Sequence, residues 1–179
     1  NFNIAAFVAH DDIEPTKEWQ TEIETALRTM DALVAIVSPD FHQSKWCDQE
    51  VGIAIGRGRL VIPLRVEADP HGFIGKYQGV KTSGKAAPSI AGELVQILIR
   101  NETTAPRLAD SLIEKLETST SWNMSKEIVS VIELVPRLST AQSGRLLNAL
   151  EANDEVRLAH GVPQRIKALI SKTTPASVV

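Results

Sequence analysis

A tryptophan and a glutamate four residues apart form the strongest chemical signal in this chain. Trp46 and Glu50 lie within the segment SKWCDQE, residues 44–50, and at that spacing they share one face of a helix. A carboxylate can stabilise a developing positive charge, and an indole beside it can exclude water. Trp46 is equally well interpreted as a plain core residue, and both interpretations stay open here.

The elements that must position this pair are predicted from local signals. Residues 32–37 (ALVAIV) are an apolar run of strand length, interpreted as a buried strand, and residues 38–40 (SPD) end it because proline has no amide donor. Ser44 is a predicted N-cap, and a helix is predicted over residues 46–55. Glu50 therefore follows the carboxyl end of a strand, where α/β proteins build their sites.

Two more apolar runs, residues 4–9 and 60–66, are predicted to be strands. Between the first and second strands lies a predicted helix that Thr16 caps, with apolar residues at helical spacing from Trp19 to Met30. The order strand, helix, strand, helix, strand predicts right-handed crossovers and a parallel sheet. The expected fold class is therefore α/β.

The remainder of the chain has a different pattern. Residues 67–88 are rich in glycine and proline and are predicted to be a loop-rich stretch, and the chain beyond them is predicted to be helical. The expected domains are a sheet domain at 1–100, a bridging helix at 101–119, a helical appendage at 120–172 and a tail at 173–179.

Composition excludes several classes of function. A net charge of −3 with both signs interspersed argues against a nucleic-acid-binding surface. A single cysteine excludes an internal disulfide and a CxxC metal site, and the four histidines (His10, His42, His71, His160) show no ligand spacing, so no metal is expected. No apolar run is long enough to span a membrane. We expect a cytoplasmic protein with no membrane or nucleic-acid partner.

Two blocks together resemble the Toll/interleukin-1 receptor (TIR) domain family. The first runs from Phe7 to Pro15 (FVAHDDIEP) and continues to Trp19, and the second is the Ser-Pro-Asp-Phe segment that leads into Trp-Cys-x-x-Glu. The resemblance covers about residues 2–66 and implies a flavodoxin-like parallel sheet. Complete TIR domains have a strand and a helix before the Phe7 block. Here only residues 1–3 precede the predicted strand that leads into this block, so we expect that segment to be cut away, unseen or supplied by another chain.

The resemblance also implies an activity. The Glu of this motif is catalytic in the NAD-cleaving, bacterial members of the family, so Glu50 is the expected catalytic residue of an NAD+ glycohydrolase or cyclase, with NAD+ as substrate. Its carboxylate would stabilise the oxocarbenium ion that forms at the ribose. Cys47 is expected to be a small buried residue rather than a nucleophile. The residues expected to bind the nucleotide are Phe7, His10, Asp11, Trp46 and Cys47.

The resemblance implies partners and leaves alternatives open. It predicts self-association through the loop His10–Pro15, a sensor or effector protein as partner, and a role in bacterial antiphage defence. One alternative is a non-catalytic TIR adaptor that acts through TIR–TIR contacts, although an adaptor does not need Glu50. The other is a phosphoacceptor receiver domain, whose acidic pocket Asp11, Asp12 and Asp40 imitate.

Overall fold

The computed structural model describes residues 4–8 and 19–173. The chain divides into two compact units, of which one comprises Ala5–Val95 and the other comprises Asn1–Ile4 together with Gln96–Val179. Each unit has its own cluster of buried apolar side chains. The first is an α/β unit that carries the predicted site, and the second is helical.

Among the described residues of the α/β unit, three parallel strands form a sheet in the order β1-β2-β3. They are β1 (Ala32–Val37), β2 (Leu60–Arg65) and β3 (Val80–Lys81). Strands β1 and β2 pair in register over all six residues of each. The parallel α/β fold expected from the order of elements is therefore confirmed.

The helices that accompany the sheet are α1 (Trp19–Thr29), α2 (Lys45–Gly56) and α3 (Ala87–Arg100), the last of which extends past Val95. Two short 3-10 turns occupy Phe41–Gln43 and Gly72–Ile74. Helix α2 forms the crossover between the two parallel strands β1 and β2 and contacts both of them. The core that α2 shares with the sheet consists of Ala35, Val37, Phe41, Val51, Ala54, Val61 and Ile74.

The apolar run of residues 32–37 predicts a buried strand, but β1 is buried on only one of its two faces. Ala35 and Val37 lie in the core, while the side chain of Ile36 is 60 % exposed. Successive strand residues point to opposite faces of a sheet, so an unbroken apolar run does not by itself show that both faces are covered.

The strand predicted over residues 4–9 is wrong for its described part, residues 4–8. These residues have no regular secondary structure, and the sheet of the described chain does not include them. The side chains of Ile4, Phe7 and Val8 are all exposed. An apolar run becomes a strand only where a sheet edge takes up its amides, and apolar composition alone does not provide that edge.

The third strand of the sheet is β3, which lies inside the stretch predicted to be loop-rich. Gly79 precedes it with a φ of 67°, and a Cβ built there would lie 3.0 Å from the carbonyl oxygen of Pro63. Only glycine allows both this backbone conformation and this close approach to β2. A strand of two residues is too short to give a periodic sequence signal, which explains why it was missed.

The second unit contains helices that pack on one another. They are α4 (Ala105–Glu117), α5 (Trp122–Ile132), α6 (Thr140–Ala152), α7 (Asp154–Arg157) and α8 (Val162–Thr173). Ser139 starts α6 with a capping box, in which its hydroxyl accepts from the Gln142 amide and the Gln142 side chain accepts from the Ser139 amide.

Helix α4 lies within the segment expected to be a bridge, residues 101–119. Leu112 and Leu116 of this helix are fully buried in the core of the helical unit. The division into domains at residues 100 and 119 stays a prediction. In the described part of the chain, no helix combines the length and apolar character needed to cross a bilayer.

Candidate functional site

The site is built on the start of helix α2. The Ser44 hydroxyl accepts a hydrogen bond from the Cys47 amide at 3.3 Å, which confirms the predicted N-cap. Strand β1 ends at Val37 and α2 begins at Lys45, so the first turns of the helix lie beyond the carboxyl end of that strand. This is the position at which parallel α/β sheets hold their ligands.

Helix α2 presents different residues to the core and to its flank. Each residue advances the helix by roughly 100°, so Trp46, Glu50 and Ile53 fall on one side. Val51 and Ala54 fall on the adjacent side and are buried against the sheet. The core contacts of Val51 and Ala54 therefore fix the rotation of the helix and set the direction in which Glu50 projects.

Glu50 is a half-buried carboxylate without a counter-charge. In residues 4–8 and 19–173, no hydrogen-bond or ion-pair partner contacts it. Burial raises the pKa of Glu50 above its ordinary value of 4.5, because removal from water disfavours the charged form. Buried charges are normally paired. An unpaired carboxylate beyond the carboxyl end of a strand is therefore a candidate functional residue rather than a structural one.

Asp48, two residues earlier on the same helix, is in a different environment. Its side chain is 61 % exposed, and Oδ1 lies 3.2 Å from Nε2 of His71. A spacing of two residues places Asp48 and Glu50 on different sides of α2. Asp48 therefore ties the helix to the loop after β2, while Glu50 stays unpaired.

The imidazoles of His42 and His71 contact each other at the loop after β2. The ring centroids of His42 and His71 are 4.3 Å apart, and Nε2 of His42 lies 2.9 Å from the carbonyl oxygen of Asp69. The sequence interpretation treats the histidines as scattered, because 29 positions separate these two along the chain. In the described residues, no group of three or more His, Cys, Asp or Glu side chains is arranged to hold a metal ion.

Trp46 has an aromatic neighbour that the sequence does not reveal. Its indole contacts that of Trp19 edge to face, with centroids 5.0 Å apart and planes inclined by 71°. The side chains are 42 % and 49 % exposed respectively, so Trp46 is not a plain core residue. The sequence singles out Trp19 as one of three tryptophans, as an apolar position of a predicted helix and as the end of the first TIR-like block, but none of these signals predicts its contact with Trp46.

The structure describes Phe7 and Cys47 of the other residues predicted to bind the nucleotide. Cys47 is half-buried and packs against the core, as expected for a small apolar side chain. Phe7 is 42 % exposed and lies outside any strand. His10 and Asp11, and with them the loop His10–Pro15, lie outside the described residues.

Comparison with known protein families identifies the α/β unit. Residues 2–98 match the TIR domain, which is more than half of the 179 residues and includes the helix with Trp46 and Glu50. Comparisons with curated proteins and with solved structures find no match. On the strength of the family match, and in agreement with the parallel sheet flanked by helices, the chain belongs to the TIR domain family.

Proposed function

We propose that this TIR protein is an NAD+ glycohydrolase that cleaves the bond between nicotinamide and ribose. The observation that carries the proposal is Glu50, a half-buried carboxylate with a raised pKa and no partner in the described part of the chain. Some members of the TIR family cleave NAD+, and the Trp-Cys-x-x-Glu motif of this chain resembles the motif that carries their catalytic glutamate, which would make Glu50 the corresponding residue. A carboxylate with a purely structural role would be expected to have a partner, as Asp48 does.

The proposed reaction needs one negative charge and no general acid. The bond between C1′ and the nicotinamide nitrogen breaks, and its electron pair neutralises the cationic ring as it leaves. The ribose then carries oxocarbenium character, which the ionised Glu50 stabilises. Water adds to C1′ and releases a proton to give ADP-ribose, whereas attack by the adenine of the same molecule would give a cyclic product.

Assembly and biological role complete the proposal. Self-association through the loop His10–Pro15, a sensor or effector partner and a role in bacterial antiphage defence rest on the family resemblance alone. In this scheme a second copy would complete the nucleotide site, so activity would rise steeply with protein concentration.

The direct test is nicotinamide release from NAD+ by the complete protein at a concentration at which it self-associates. We compare the wild type with Glu50→Gln and Glu50→Ala, and we use Asp48→Asn as the matched control. Loss of electrostatic stabilisation should reduce kcat by about a hundredfold or more. Asp48→Asn removes a charge from the same helix but from another side, so it should retain most of the activity.

Each outcome separates the proposal from the alternative. Inactive but folded Glu50 variants beside an active Asp48→Asn variant support the enzyme. A wild-type protein that assembles and still leaves NAD+ intact would support a TIR adaptor. Equal loss in the Glu50 and Asp48 variants would show that Glu50 has no special role.

A further inference from the structure

Two imidazoles meet beside the loop that follows β2. His42 belongs to the 3-10 turn Phe41–Gln43, and His71 directly precedes the 3-10 turn Gly72–Ile74. Their ring centroids are 4.3 Å apart, and their planes are inclined by 62°. This separation is close to that of two imidazoles on one metal ion, whose centroids lie about 4.5–5 Å apart when each metal–nitrogen bond has its usual length.

Hydrogen-bond partners fix which nitrogen of each ring carries the proton. Nε2 of His42 lies 2.9 Å from the carbonyl oxygen of Asp69, which can only accept, so this nitrogen is the donor. Nε2 of His71 lies 3.2 Å from Oδ1 of Asp48, and an ionised carboxylate likewise only accepts. In the neutral form of each ring, Nδ1 therefore keeps its lone pair.

Neither Nδ1 atom has a hydrogen-bond partner in the part of the chain that the structure describes. Nδ1 of His71 is buried and unpaired there, and the hydrogen bond of His42 is made by Nε2. Buried polar atoms are normally satisfied, so the Nδ1 atom of His71 calls for a group that takes up its lone pair. Only a proton donor or a metal ion can do so.

The contacts of the two rings match those of metal-ligating histidines. Such a histidine usually donates its second ring N–H to a carboxylate or to a backbone carbonyl, which orients the ring and raises the basicity of the ligating nitrogen. His71 makes the first kind of contact, with Asp48, and His42 makes the second kind, with Asp69. A single hydroxyl or amide donor would satisfy one Nδ1 atom, whereas one metal ion would satisfy both.

We propose that His42 and His71 bind one divalent transition-metal ion, such as Zn²⁺ or Ni²⁺, through their Nδ1 atoms. Neutral imidazole suits these ions, whereas the hard ions Mg²⁺ and Ca²⁺ take oxygen ligands. Water would fill the other coordination positions, since residues 4–8 and 19–173 contain no group of three or more His, Cys, Asp or Glu side chains that could hold a metal ion. The ion would join the turn before α2 to the loop after β2.

The first measurement is an NMR spectrum of the histidine rings. In the metal-free wild-type protein at pH 7.5, a long-range ¹H–¹⁵N correlation spectrum should show the proton on Nε2 of both His42 and His71. Zn²⁺ should then shift the ¹⁵N signals of the two Nδ1 atoms, while Mg²⁺ at the same concentration should shift neither of them. His160 is an internal control, since its side chain is exposed and belongs to the other unit.

The second measurement assigns the ion to the pair by calorimetric titration with Zn²⁺. Asp48→Asn removes the charge that polarises the His71 ring, so it should weaken binding by about tenfold. His42→Gln and His71→Gln each remove a ligand and should weaken binding further, whereas His160→Gln should leave it unchanged. If His71→Gln does not fold, His42→Gln decides, because the His42 side chain is exposed.

Two results would overturn the proposal. One is that Zn²⁺ leaves both Nδ1 signals in place, or shifts them no more than those of His160. The other is that Cys47→Ser abolishes Zn²⁺ binding while His42→Gln does not, because the free thiol of Cys47 is the competing ligand on α2. Neither measurement uses NAD+, so the metal site and the proposed function can fail separately.

Discussion

At the scale of single residues, Glu50 and Asp48 show how position on a helix gives the same chemical group two roles. Asp48 is exposed and bound to His71, whereas Glu50 is half-buried and has no partner among the described residues. Burial without a partner disfavours the ionised form and raises the pKa of Glu50. A half-buried carboxylate without a partner lowers the stability of the fold. Such groups concentrate at functional sites.

The raised pKa predicts the acid side of the pH profile. The proposed reaction needs the ionised carboxylate, so kcat for NAD+ cleavage should fall as the pH drops through a value above 4.5, the ordinary pKa of a glutamate. Nicotinamide release measured between pH 4 and pH 8 would show this. If kcat fell only at or below pH 4.5, burial would not control the pKa of the carboxylate that the reaction needs.

The same shift predicts that Glu50→Gln stabilises the protein. A carboxyl group with a higher pKa in the folded than in the unfolded chain binds its proton more tightly when folded. The contribution of Glu50 to the free energy of unfolding is therefore most favourable at low pH. This contribution is lost as the pH rises through the pKa that Glu50 has in the folded protein. Glu50→Gln should raise the midpoint of thermal unfolding at pH 7.5, and this gain should shrink towards pH 4.5.

Asp48→Asn is the control for that measurement, since it removes a charge that has a partner, His71. We expect no gain in stability from it at pH 7.5. A similar gain in both variants would point to the net charge of the protein rather than to the burial of Glu50.

At the scale of elements, strand β1 demonstrates that neighbouring residues in one apolar run can have opposite environments. Val37 has no exposed surface and belongs to the core beneath α2, while Ile36 is 60 % exposed. The hydrophobic contribution of this strand therefore comes from one of its faces. The face that carries Val37 is the one that anchors α2 and, through α2, the site.

Two threonine substitutions test this asymmetry. Val37→Thr keeps the shape of the side chain but buries a hydroxyl, which should cost about 2 kcal/mol of unfolding free energy. Ile36→Thr should change the unfolding free energy by less than about 0.5 kcal/mol. Urea unfolding followed by fluorescence in a Trp122→Phe background would report the α/β unit alone, and equal costs would contradict the assignment of faces.

At the scale of the whole molecule, two separate cores predict two separable responses to mutation. Leu112 of α4 is fully buried in the helical unit, which shares no residue with the core around Val37. Leu112→Ala should lower the stability of the helical unit by about 3 kcal/mol. Amide exchange should accelerate in α4 to α8 before it changes in β1 and β2.

Leu147 is the matched control, because it lies on α6 of the same unit but is 43 % exposed. Leu147→Ala should leave amide exchange close to that of the wild type. If Leu112→Ala accelerated exchange in β1 and β2 as much as in the helices, the two units would behave as one cooperative structure.

The sequence alone determined the local elements that carry the site. The strand at residues 32–37, the Ser44 cap and the helix with Trp46 and Glu50 follow from hydrophobic spacing and from one side-chain hydrogen bond, and the structure confirms them. These signals involve residues within one or two turns of each other. A short segment therefore suffices to fix them.

Only the tertiary structure decided what surrounds Glu50. Trp19 contacts Trp46 across 27 positions of sequence, and Asp48 contacts His71 across 23. The burial of Glu50 depends on how α2 lies against the sheet. The strand predicted at residues 4–9 was wrong for its described part, residues 4–8, because apolar composition does not provide a sheet edge to pair with, whereas β3 was missed because two residues give no periodic signal. Periodicity states which side of an element is apolar, but the packing of distant elements decides which neighbour covers it and which charge is left unpaired.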